Sequence, residues 1–220
     1  MGKFIKVIVT VFLVTSTHLS AETFLDKVVV TPLKKPTKIF DTFNNVQVIT
    51  SKDIKLQGYK SINEILSRSS SISIGSNGGH GQTKSIFLRG TESNHTKVLI
   101  NGVNLNPGTL GVPSIQHISV DMVESIEISK GSMSTLYGKD TIGGVINIIT
   151  KKNQGNQISI NRGTNNTNNF VYSGGFGYLN HNFSTNLSRL ESDSYKAKVT
   201  STKNHKYDTT NLDLNYITVS

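Results

Sequence analysis

Cysteine is absent from all 220 residues, which excludes disulfides and any thiolate metal site. The formal charge of +9 is spread along the chain, and Lys3 and Lys6 supply part of it from a removable leader. Aromatic residues amount to only 7% and are not interleaved with basic clusters, so no nucleic-acid partner is expected. The six histidines show no metal-ligand spacing, and no cofactor or metal is implied. Residues 131–140 look superficially like a phosphate loop. Their glycine spacing is wrong, however, and Lys139 is followed by Asp140 instead of Ser or Thr. No nucleophile sits in a recognisable elbow, so an enzyme is not expected. Past Ala21 there is no apolar run approaching the ~20 residues of a spanning helix. Any entry into a membrane would have to be made by strands.

What is present begins with an export leader. Met1, Gly2, Lys3, Phe4, Ile5 and Lys6 form a short basic start. An apolar run follows from Val7 to Val14, broken only by Thr10, and Ser20 and Ala21 are small enough for cleavage. Residues 1–21 are therefore expected to be a signal peptide. Residues 22–42 form a sparse tail around one β-branched knot, Val28, Val29 and Val30.

Residues 43–152 have the texture of a compact α+β domain, a small mixed sheet with short helices. The run 46–50 is strand-like. Thr50 with Asp53, and Ser61 with Glu64, are capping patterns that predict two short helices, the first starting near Ser51 and stopping before Gly58. Ile62, Ile65 and Leu66 give the second helix an apolar face. Strands are expected at 72–74, 86–88, 97–100, 123–129 and 145–150, with one helical turn at 134–137. Asn101-Gly102 is the dipeptide best suited to a tight hairpin turn. Two loops stand out, the glycine-rich 75–82 and 104–113.

Residues 153–220 alternate. Phe170, Tyr172, Phe176 and Tyr178 share one strand face with Gly174, and Ser173, Gly175 and Gly177 lie on the other. Phe183, Thr185 and Leu187 alternate with Ser184, Asn186 and Ser188, and Leu212, Leu214 and Tyr216 with Asp213 and Asn215. Transmembrane β-barrel strands alternate in this way, and so does an ordinary antiparallel sheet.

Several blocks carry a resemblance. Leu88-Arg89-Gly90 follows Ser85, Ile86 and Phe87. Lys97-Val98-Leu99-Ile100-Asn101-Gly102-Val103 comes next, then Val123-Glu124-Ser125-Ile126-Glu127-Ile128-Ser129-Lys130-Gly131. Leu136-Tyr137-Gly138 and the run from Ile142 to Thr150 complete the set. In order and spacing these blocks resemble the plug of TonB-dependent outer-membrane receptors, with Ser132 where the family usually has Pro. The likeness is closest to the family's vitamin B12 receptors, through residues 76–82 and 89–95.

The resemblance implies a plug domain followed by antiparallel strands of an incomplete transmembrane β-barrel. Such barrels use 22 strands, and 153–220 has room for three or four, so the chain is expected to be a fragment of a longer receptor. Asp26, Lys27, Val28, Val29, Val30 and Thr31 are similar to a TonB box, which would pair by strand addition with TonB, the energy-coupling protein of the inner membrane. Ser76, Asn77, Gly78, Gly79, His80, Gln82, Asn104 and Asn106 become the expected substrate-binding residues of the apical loops. Arg89 and Glu127, flanked by apolar residues in strand-like segments, are expected to pair with each other or with the barrel wall. An unpaired buried charge there would cost several kcal/mol. The nutrient implied is a corrinoid such as cobalamin; a ferric siderophore is the alternative, and a free-standing periplasmic plug-like module the rival architecture. The region 195–207 is rich in lysine and has no carboxylate, so calcium is not expected.

Overall fold

The computed structural model describes residues 28–29, 37–38, 45–78, 81–152, 156–179, 181–193 and 206–218. The expected signal peptide, together with Asp26, Lys27, Val30, Thr31, Gly79 and His80, lies outside them. Strands β1 (Val28–Val29) and β2 (Thr37–Lys38) pair antiparallel. Strand β3 (Asn45–Thr50) leads directly into helix α1 (Ser51–Gln57).

The capping box expected there is complete. Thr50 Oγ1 accepts from the Asp53 amide at 3.3 Å, and Asp53 Oδ2 accepts from the Thr50 amide at 2.9 Å. Gly58 ends the helix at φ 67°, with its amide donating back to the carbonyls of Ile54 and Lys55. Helix α2 (Ile62–Ser67) starts at Ser61, whose side chain accepts from the Glu64 amide, and it buries Ile62, Ile65 and Leu66.

Strands β4 (Ile72–Ser76) and β5 (Lys84–Leu88) form a separate hairpin. The main sheet adds β6 (Thr96–Ile100), β7 (Val103–Asn104), β8 (Val123–Lys130) and β9 (Gly144–Thr150), in the order β3-β8-β9-β6-β7. Only β6 and β9 run parallel; the other neighbours are antiparallel, which makes the sheet mixed. Asn101 and Gly102 turn between β6 and β7 with φ of 49° and 84°, the two positive values of a type I′ turn.

Period-two alternation divides the sheet's side chains between two layers. Val98, Ile126, Ile128, Ile146 and Ile148 pack under α1, α2 and the β4–β5 hairpin. Leu99 and Val145 pack on the opposite face with Met133 and helix α3 (Ser134–Tyr137). Burying each such aliphatic side chain contributes about 1.5–3 kcal/mol.

The remaining strands, β10 (Gln157–Gly163), β11 (Thr167–Tyr178), β12 (His181–Ser192) and β13 (Tyr207–Thr218), form an antiparallel meander in chain order. Register places Ile158, Tyr172, Leu187 and Leu212 in one row, and Phe176, Phe183 and Tyr216 in another. In those rows Ile158, Phe176, Phe183, Leu212 and Tyr216 are exposed. The opposite face carries Ser173, Asn186 and Ser188, all buried. The four strands do not close on themselves. Among the described residues no helix is long and apolar enough to cross a membrane, which says nothing against crossing by strands.

Candidate functional site

Polar groups on the inner face of the meander reach back to the first domain. Asn186 Nδ2 donates to the Lys151 carbonyl at 3.1 Å, Asn169 Nδ2 to Asp121 Oδ2 at 3.1 Å, and Asn211 Nδ2 to the His117 carbonyl at 2.6 Å. Lys151 is itself buried and donates Nζ to the Asp121 carbonyl at 2.7 Å. Burial pushes the pKa of its ammonium below the ordinary lysine value. Lys55 adds to that effect, and Asp121 and Glu124 oppose it. Between these contacts lies a cavity of about 370 Å³, lined by Tyr59, Gln116, Asp121, Asn161, Thr167 and Asn211 among others.

The first candidate loop closes the β4–β5 hairpin. Lys84 is buried where β5 starts; its Nζ donates to Ser76 Oγ and, at 2.7 Å, to the Gly78 carbonyl. Ser76 Oγ also accepts from the Gly78 amide at 3.3 Å. One ammonium thus ties down the near half of the loop, and burial lowers its pKa. Asn77 donates its amide to the Thr83 carbonyl at 3.4 Å, and Gln82 is half-buried.

In the second loop Asn106 is committed to its own chain. Its Oδ1 accepts from the Val98 amide at 2.7 Å, and its Nδ2 donates to the carbonyls of Thr96 and Gly111 at 2.9 and 2.7 Å. Asn104 is exposed, and its Oδ1 accepts from the Asn106 amide at 3.1 Å. No hydrogen bond among the described residues joins 76–82 to Asn104 or Asn106. The apical hairpin instead meets β13, where Gly81 lies against the ring of Tyr207.

Arg89 and Glu127 occupy different settings. Arg89 lies just past β5, exposed and left-handed at φ 56°, instead of inside a strand. Its guanidinium lies beside Gly131 and Lys130, where it adds to the burial that lowers the pKa of Lys130. Glu127 is buried in β8 on the face that carries α3, paired across the sheet with Asn147. Burial pushes the Tyr137 phenol pKa up, and the Glu127 carboxylate adds to the shift. Of the residues expected to form a TonB box, Val28 and Val29 have the extended backbone of a strand.

The sequence alone gives no site role to His117, Asp121, Asn169, Tyr207 or Asn211. Asn186 could have been found, because alternation puts it on the polar, inward face. Nothing in residue spacing marks His117.

Residues 38–145 match the family model of the TonB-dependent Receptor Plug Domain. Over those residues the fold is accordingly that of a plug domain, a mixed sheet with few helices, and the open antiparallel meander that follows is consistent with part of a barrel of that kind.

Three solved structures show the same arrangement. The ferric yersiniabactin uptake receptor FyuA from Yersinia pestis is 21% identical at a TM-score of 0.60, over 79% of this chain and 28% of that one. The ferripyoverdine receptor of the outer membrane of Pseudomonas aeruginosa is 15% identical at 0.60, over 76% and 22%. A mutant of the ferric enterobactin receptor PfeA from Pseudomonas aeruginosa is 20% identical at 0.53, over 68% and 25%. The chain spans about a quarter of the length of these receptors.

Proposed function

We propose that the chain is the front part of a TonB-dependent receptor of the outer membrane, which takes up a scarce nutrient by active transport. One observation carries this reading. The plug domain matched over 38–145 is followed by a meander with apolar rows outward and polar rows inward, and the inward amides grip the plug. A free-standing periplasmic module would have no use for exposed aromatic rows such as Phe176, Phe183 and Tyr216.

In this reading Asp26, Lys27, Val28, Val29, Val30 and Thr31 form the TonB box. An extended β-branched segment offers main-chain donors and acceptors to a partner's sheet edge, and TonB supplies the pull. Ser76, Asn77, Gly78, Gly79, His80, Gln82 and Asn104 face the ligand, whereas Asn106 shapes its loop from within. Arg89 and Glu127, which occupy separate settings, are assigned as polar contacts toward the barrel wall, one exposed and one buried.

For the ligand, the similar solved structures are described as receptors for ferric yersiniabactin, ferripyoverdine and ferric enterobactin, which supports a ferric siderophore more than a corrinoid. Cobalamin rests only on the likeness of the apical loops. Equilibrium binding of ferric catecholate, ferric hydroxamate and cobalamin to the full-length receptor tests the assignment. Saturable binding of a ferric chelate is expected, and cobalamin alone would reverse the order. Binding of none would remove the ligand assignment.

A further inference from the structure

Tyr207, the first residue of β13, touches two plug segments far apart in sequence. A Cβ built on Gly81 would stand 2.2 Å from Tyr207 Cδ2 and 2.3 Å from Cε2, so the tyrosine ring occupies the place of a side chain at position 81. Gly81 also has φ +78°, a conformation that favours glycine. The same tyrosine's hydroxyl lies 2.8 Å from His117 Nδ1, and the two rings stack with centroids 5.9 Å apart at 21°. Four residues further along the same strand and on the same face, Asn211 donates to the His117 carbonyl at 2.6 Å. One barrel strand therefore holds both the apical hairpin and the 115–117 turn beside the cavity.

We infer that Tyr207 is a positioning residue that fixes the plug's apical hairpin against the barrel wall, with Gly81 kept side-chain-free to receive its ring. Its meaning for ligand capture rests on the receptor reading: a ligand seated on the hairpin presses on a contact that the barrel also holds. The ring does the positioning at Gly81, and the hydroxyl carries the link to His117.

The absence of cysteine makes the test direct. A single Gln82→Cys in the full chain, folded in detergent micelles, reports hairpin release through its rate of maleimide labelling. Tyr207→Ala should raise that rate about tenfold, and Tyr207→Phe, which keeps the ring, should stay within about twofold of the parent. In the same chain, Gly81→Ala should lower the urea midpoint markedly when Tyr207 is present and much less when residue 207 is Ala, because only the backbone strain then remains. Unchanged labelling in Tyr207→Ala, or an equal Gly81→Ala effect in both backgrounds, would overturn the inference. Neither readout uses a ligand, so such a failure leaves the receptor reading standing. A responsive hairpin together with a full-length receptor that binds neither ferric chelate nor cobalamin would do the reverse.

Discussion

Asn186, wholly buried in β12, donates its side-chain amide to the main-chain oxygen of Lys151 at 3.1 Å. The same amide lies 3.4 Å from Asp213 Oδ2 on the neighbouring strand. An inward-facing barrel position thus satisfies a carbonyl at the point where the plug ends. Asn186→Ala should cost about 1–3 kcal/mol, the range for stranding a buried polar group. Asn186→Asp should be at least as damaging, since an ionised carboxylate cannot donate and would face Asp213. Urea unfolding of the full chain in micelles measures both.

The buried lysines give stability a pH dependence of definite sign. Burial lowers the pKa values of Lys84, Lys130 and Lys151 below 10.5, so the folded chain holds these protons less tightly than the unfolded chain. Between the lowered values and 10.5 the unfolded chain binds more protons, and stability rises with pH. Tyr137 opposes this only above its ordinary value of 10.0, because its raised pKa favours the protonated folded form there. The urea midpoint should therefore climb as pH approaches 10, and Lys151→Met should flatten the climb. A midpoint that falls over that range would refute the assignment.

Gly144 lies where β9 meets β8. Its φ is +146°, and a Cβ there would stand 2.2 Å from the Ser129 carbonyl oxygen and 2.7 Å from Leu88 Cδ2. Main chain on one side and a core leucine on the other leave little room to give. Gly144→Ala should cost about 3 kcal/mol or more, read as a lowered urea midpoint with an unchanged slope.

The plug was largely legible because its signals are local. Thr50 and Asp53 announced the start of α1, Asn101-Gly102 announced a hairpin, and the apolar runs at 97–100 and 145–150 announced strands, though not that both faces of their sheet are buried. Arg89 was read as a strand residue because it follows Ile86, Phe87 and Leu88. A left-handed arginine has no local signature, and only the succeeding Gly90 hinted at a turn. Alternation places Asn186 on the inward face, but the partners that join the meander to the plug were not legible. His117 and Tyr207 are 90 positions apart, and nothing in either neighbourhood specifies the other. Asn106 read as a ligand-facing amide because composition cannot show that Val98, Thr96 and Gly111 already use its side chain.

The central claim is that import is driven by pulling on the strand around Val29. The direct measurement is energised uptake by cells carrying the full-length receptor with Val29→Pro, alongside binding of the same ligand to the same cells. Proline removes a main-chain donor and obstructs strand addition, so uptake should fall at least about tenfold while binding stays unchanged. Uptake at the native rate would contradict the account.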